Sequence, residues 1–260
     1  MARISISILK REAKRKEETK EELEKFEEEA IETIRIAKKK RAFLRIKREK
    51  KILREVTKEY KPEVHGPVIE FTPPAGWRVV EEYWIEEPFC KIFILYNEAE
   101  QDYWYFVAEP KLSPYELEVY SQIYLLIREE LEKIQISDGE ERDAILKDVY
   151  DRILRETGIY LDEKSYVKIL YYLERDLIGY GKINAMMKDR MLEDISCNGY
   201  RKPLYVFHRS YANLRTNVVF EEESELDSFV INLAQKCGKH ISIAEPMVDA
   251  TMPDGSRIQL

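Results

Sequence analysis

The chain has 260 residues, 36% of them charged and 44% hydrophobic, a balance that supports a packed core and excludes wholesale disorder. Its net charge of −7 argues against a general nucleic-acid binder, yet the charge is uneven: residues 1–60 sum to +7 and the remaining 200 to −14. Three widely spaced cysteines (Cys90, Cys197, Cys237) exclude a disulfide scaffold, and no apolar run approaches the ~20 residues of a membrane span. The N-terminus places a short apolar stretch before its charges, the wrong order for a secretory signal. The sequence reads as a cytoplasmic protein: a basic arm on an acidic body.

From about residue 10 to 58 there is no Gly or Pro, and Lys, Glu, Arg, Leu and Ile dominate, which predicts one long helix. Leu23, Phe26, Ala30, Ile31, Ile34, Ala37 and Leu44 recur at steps of three and four and form a narrow apolar stripe. Residues 38–54 carry ten basic residues and a single acid, Glu49. The cluster Lys38, Lys39, Lys40, Arg41, Arg45, Lys47, Arg48, Lys50 and Lys51 suits an anionic membrane surface. Its apolar face (Phe43, Leu44, Ile46, Ile52, Leu53) suits a partner helix equally well, and both readings stay open.

Pro62, Gly66 and Pro67 mark a linker. Beyond it, WRVVEEYWI (77–85), KIFILY (91–96) and YWYFVA (103–108) are aromatic and β-branched runs separated by short breaks, and predict an antiparallel meander. Its aromatics lack the interleaved Lys/Arg of a base-stacking platform and read as packing. Three helices follow. Ser113-Pro114-Tyr115-Glu116 is a capping box opening a helix to about residue 136, with Leu117, Tyr120, Tyr124 and Leu131 expected inward. A second begins at Asp138-Gly139, carries Ile145, Val149 and Ile153, and ends at Gly158; a third runs from about Asp162 to Gly179, with Val167, Leu170, Tyr171 and Leu177 along it. Together they predict a small bundle.

The last eighty residues predict a strand at PLYVFH (203–208), a turn, a strand at TNVVF (216–220) and a helix capped by Ser224 and Asp227 that ends at Gly238. A short strand HISIA (240–244), a loop EPMVD, a turn MPDG (252–255) and a strand SRIQL complete an α+β unit. The expected organisation is therefore a basic helix over 1–60, a meander plus three-helix bundle over 61–178, and a small α+β, PAS-like domain over 179–260. The final strand stops at Leu260 without a cap, so the chain reads as cut inside a longer protein.

Nine glycines are present, and none builds a G-x-x-x-x-G-K-[ST] loop. His65, His208 and His240 are too scattered for a zinc site, and neither HExxH nor GxSxG occurs. This stretch alone reads as no independent enzyme. What solvation explains poorly is a set of polar turns: LEDISCNG (192–199), VFHRSYANLRTN (206–217) with Arg209 and Arg215, and MPDGSRIQ (252–259) with Arg257. Arginine at a turn suits phosphate recognition because its planar fork binds bidentately and stays charged. A local ion pair, for Arg257 with Asp249 or Asp254, is the plainer alternative.

At these residues the sequence resembles a family. EDISCNG, HRSYANLRTN, GKHISIAEPMVDA and MPDGSRIQ, in that order, resemble the N-terminal domain of the type II/type IV secretion ATPases. The nearest likeness is to the archaeal branch, which holds the archaellum motor and pilus-assembly ATPases. The resemblance is close over residues 165–260 and looser over 71–116, and residues 1–58 show no counterpart. It implies a RecA-like domain with Walker motifs outside this chain, where ATP and Mg2+ would be bound and hydrolysed. It further implies a cytoplasmic homo-hexamer, peripheral at the inner face of the membrane on a polytopic platform protein. By motif, Arg257 is implied to reach the nucleotide phosphates, with Arg209 and Arg215 as weaker candidates. The competing expectation is a stand-alone adaptor that binds membrane or a partner helix and has no nucleotide role.

Overall fold

The computed structural model describes residues 60–133, 141–242 and 244–260. The long basic helix, with its cluster from Lys38 to Lys51, lies outside the described residues. After a helical turn, α1 (Pro62–His65), the three aromatic runs form the expected meander: β1 (Trp77–Glu86), β2 (Cys90–Asn97) and β3 (Asp102–Ala108), paired antiparallel. Asn97 closes the β2–β3 turn, its side-chain oxygen accepting the N–H groups of Ala99 at 2.9 Å and Glu100 at 3.3 Å.

The C-terminal segment supplies β4 (Leu192–Ser196), β5 (Pro203–His208) and β6 (Ala212–Val219). Contrary to the expected division at residue 178, all six strands make one sheet in the order β1-β2-β3-β6-β5-β4. The join is a short parallel pairing of β3 with β6, Trp104 opposite Arg215 and Tyr105 opposite Thr216. Asn217 extends it by acting as a surrogate backbone: its amide oxygen accepts the Val107 N–H at 2.7 Å and its amide nitrogen donates to the Val107 carbonyl at 2.9 Å. Side-chain mimicry at a separation of 110 residues leaves no local pattern to read.

One face of the sheet (Ile92, Ile94, Tyr105, Val107, Leu204, Val206, Leu214) carries the main core, closed by Met186, Phe220 and Leu233. The other face is covered over β2 and β3, where Ile69, Phe71, Trp77, Trp104 and Phe106 pack around Phe93 and Leu95.

The helices start as their caps dictate. In α2 (Pro114–Lys133) the Glu116 carboxylate accepts the Ser113 N–H at 2.6 Å while the Ser113 hydroxyl accepts the Glu116 N–H at 3.3 Å. In α4 (Glu163–Leu173) Asp162 accepts the Ser165 N–H at 2.6 Å. Between them lies α3 (Glu141–Thr157). The inward stripe of α2 is Val119, Ile123 and Ile127, not the expected one: Leu117 is 54% exposed, and Tyr120, Tyr124 and Leu131 are half-buried. Apolar residues lie on several sides of this helix, so spacing alone does not choose the face. Lys168 of α4 meets Glu116 of α2 in a buried ion pair, and Arg152 of α3 bonds Glu130 of α2 at the surface.

Past α4 the chain runs through one π turn (Glu174–Ile178) to Gly179, a 3-10 turn (Gly181–Ile183) and α5 (Asn184–Lys188). A Cβ at Gly179 would collide with the Asn184 side-chain oxygen and lie 2.8 Å from the Arg175 carbonyl oxygen. Gly179→Ala is therefore expected to destabilise the fold by about 1–3 kcal/mol, as overpacking does. Chemical denaturation checks this, and an unchanged midpoint contradicts it. After β6, α6 (Glu223–Lys236) packs on the core face, followed by a separate hairpin of β7 (Asp249–Thr251) and β8 (Arg257–Gln259). The expected strand 240–244 is absent from its described residues. There the Ser242 N–H donates to the Glu245 carbonyl and the Ser242 hydroxyl accepts the Glu245 N–H, closing a turn. Part of the expected EPMVD loop, Asp249, belongs instead to β7.

Candidate functional site

The β7–β8 hairpin is held to the body by its apolar side chains. Met252 is buried and packs into the core with Ile258 and Leu260, while Val248 and Leu260 exchange backbone bonds of 2.9 and 2.8 Å. Its turn needs Gly255, which sits at φ +89°. The Asp254 carboxylate is spent within that turn, accepting the Ser256 N–H and hydroxyl, each at 3.0 Å. Arg257 opposite Thr251 is thereby displayed, exposed, with no hydrogen-bond or ion-pair partner among the described residues.

Arg257 stands at a groove of about 410 Å3 bounded by α5, α6, β4 and the hairpin. Leu192, Leu226, Phe229, Leu233 and Ile258 give it an apolar lining, and Glu193 lies on its β4 side. Asp189 also lines it and is itself buried. The Tyr83 and Tyr105 hydroxyls each donate to one Asp189 oxygen at 2.7 Å, and the Met191 N–H donates to the other at 2.8 Å. Behind Tyr83, fully buried His208 accepts the Ser210 N–H on Nδ1, an assignment that leaves its proton on Nε2. Burial lowers the His208 pKa, outweighing the opposing pull of Asp189 and Glu81.

The three arginines singled out by sequence do not converge. Arg209, on the β5–β6 turn, pairs with Glu193 at 3.3 Å, both half-exposed, an arrangement worth at most about 1 kcal/mol. Arg215 sits across β6 from core-facing Leu214, so it lies on the opposite side of the sheet, its guanidinium 4.1 Å from the Trp104 ring centre. Arg257 alone combines exposure, lack of a partner and a place at the groove. The same residues make no cradle for a triphosphate, because the groove is apolar and its other charged groups are acidic.

Sequence reasoning missed a second cavity, of about 220 Å3, where Glu86 of β1, Asp143 of α3, Glu174 of the π turn and Lys188 of α5 meet. Burial first, then Asp143 and Glu86, push Glu174 up to about 7. Four separate elements build it, so no motif announces it.

Among the described residues no helix is long and apolar enough to cross a membrane. Comparison with known proteins finds the PilB3-like N-terminal family matching residues 37–111. This corrects in part the expectation that residues 1–58 have no family counterpart, since the match takes in residues 37–58, with the cluster from Lys38 to Lys51. The uncharacterized protein MJ1288 of Methanocaldococcus jannaschii is 43% identical over 172 residues, covering 66% of this chain and 68% of that protein. Two further proteins of the same organism, MJ0900 and MJ0781, are each 34% identical, over 157 and 99 residues. These matches cover 58% and 38% of this chain but only 27% and 13% of the relatives, which are much longer. The chain belongs to the family of the Methanocaldococcus jannaschii protein MJ1288, and over residues 37–111 it matches the PilB3-like N-terminal domain.

Proposed function

We propose that this chain is the N-terminal region of a pilus-assembly or secretion ATPase, and that Arg257 contacts the phosphates of ATP held by a RecA-like domain. The family match over residues 37–111 supports the first part. One observation carries the second: Arg257 is presented by an anchored hairpin, while the acid beside it, Asp254, is engaged with Ser256. A guanidinium displayed in this way can neutralise charge that develops in phosphoryl transfer. In this reading the machine is a cytoplasmic homo-hexamer on a polytopic membrane platform, with ATP and Mg2+ bound outside this chain. The basic segment lies toward the anionic membrane surface.

The test is ATP hydrolysis, beside the thermal midpoint, of the protein that joins this region to its RecA-like domain. Arg257→Ala is expected to lower turnover by at least about tenfold at an unchanged midpoint, and Arg257→Lys nearly as much, because it keeps the charge and loses the fork. A lowered midpoint with turnover retained per folded molecule would make the arginine structural and overturn the reading.

A further inference from the structure

Among the described residues, the second face of the sheet is covered as far as Trp104. Beyond it, β6, β5 and β4 carry on that same face Arg215, then Tyr205 and Phe207, then Asp194. The cross-strand registers fix this placement: Trp104 opposite Arg215, Arg215 opposite Tyr205, and Phe207 opposite Asp194. Tyr205 and Phe207 are 39% and 38% exposed, adjacent aromatics on one strand with nothing over them among the described residues.

The charges on either side are unequally satisfied. Arg215 is half-buried and stacked on Trp104, yet among the described residues no carboxylate pairs with it and neither its Nε nor the Trp104 Nε1 finds an acceptor. Asp194 is exposed and accepts a bond from the Ser196 hydroxyl at 3.0 Å. β5 separates β6 from β4, so the two charged strands lie about 10 Å apart and their charges do not meet within one chain. A two-fold axis parallel to β5 exchanges the two sides. It lays β6 of one copy over β4 of the other and brings each aromatic pair against its own image. Arg215 is level with Tyr205 and the other copy's Asp194 is level with Phe207, about 7 Å along the strand, an offset the long arginine side chain has to span.

We propose that this open half-face packs on the same face of a second copy of the chain, with Arg215 of each copy against Asp194 of the other around a centre of Tyr205 and Phe207. The strands of the two copies run nearly aligned, as in face-to-face sheet packing. Stacking on Trp104 orients the guanidinium before contact, so little side-chain freedom remains to be lost. Three short strands make a small interface, and the dimer dissociates on the order of 10 μM.

Sedimentation equilibrium of the 260-residue chain, from about tenfold below to tenfold above that concentration, tests it. A monomer–dimer equilibrium is expected. Asp194→Arg and Phe207→Ser, both changes at exposed side chains, each weaken it at least about tenfold with the thermal midpoint retained. Arg215→Asp alone also removes the stack on Trp104, so it is read in the pair Asp194→Arg/Arg215→Asp, which restores association. A chain that stays monomeric overturns the proposal. So does a dimer indifferent to Asp194→Arg and Phe207→Ser, or a folded double variant that fails to re-associate.

Discussion

Replacing Lys168 by methionine is expected to cost the fold about 3–5 kcal/mol, the usual consequence of removing one partner of a buried ion pair. The Lys168 ammonium donates to both Glu116 oxygens, at 2.8 and 2.7 Å, and both side chains are more than nine-tenths buried. Glu116 has a second task, since it closes the capping box of α2 through the Ser113 N–H. Burial works against its charge, but the bonds from Lys168, Ser113 and Ser165 outweigh that and hold its carboxyl at about 2. Because the folded pKa lies below the unfolded one, this carboxylate stabilises the fold above about pH 4.5, and the contribution fades as pH falls toward 2. Without Lys168 the sign turns: burial prevails, the carboxyl rises above its ordinary value, and Lys168→Met loses least in mild acid. Denaturant unfolding at neutral pH and near pH 5 should show the gap from wild type narrowing in acid. Glu116→Gln/Lys168→Met should recover much of the loss, since an amide keeps the capping bond without a buried charge. A Lys168→Met midpoint equal to wild type at both pH values would contradict the account.

That ion pair also marks where sequence reading succeeds and where it stops. Ser113 to Glu116 were legible as a cap because a capping box spans four residues and its chemistry is local. The further use of Glu116 as the anchor of Lys168 was not, because 52 residues separate the pair. Strands β1, β2, β3 and β5 were legible from aromatic and β-branched runs. β4 was not: Glu193 and Asp194 break the apolar alternation, and a bulge lies between Leu192 and Asp194. The merging of two expected segments into one sheet depends on Trp104 opposite Arg215 and on Asn217 standing in for backbone, and neither leaves a periodic trace. The site was legible in part. MPDGSR foretold a turn presenting Arg257, and the hairpin is there. Arg215 does not join Arg257 at the groove, because nearness to a turn says nothing about which side of a sheet a residue occupies.

Asp189→Ala is expected to be as costly as the loss of Lys168, about 3–5 kcal/mol, because it strands three donors at once. The Tyr83 hydroxyl from β1, the Tyr105 hydroxyl from β3 and the Met191 N–H all end on this one carboxylate, beside the groove. Tyr105 is fully buried and has no water to turn to. Asp189→Asn should cost less, about 1–2 kcal/mol, since the amide oxygen still accepts while its nitrogen must donate back to a hydroxyl. Tyr105→Phe removes one donor to a charged acceptor and should lie between them, at about 1.5–3 kcal/mol. Alkaline pH gives an independent reading. Burial first and the Asp189 carboxylate next push Tyr105 far above the ordinary phenol range, so the fold favours its neutral form and loses stability as pH rises past about 10. In Tyr105→Phe that alkaline loss should be shallower. The order Asp189→Ala, Tyr105→Phe, Asp189→Asn in falling cost, measured by urea midpoints, is what the shared carboxylate requires. If Asp189→Ala proved milder than Tyr105→Phe, the hydroxyls would have other acceptors, and Asp189 would be a groove residue without a structural duty.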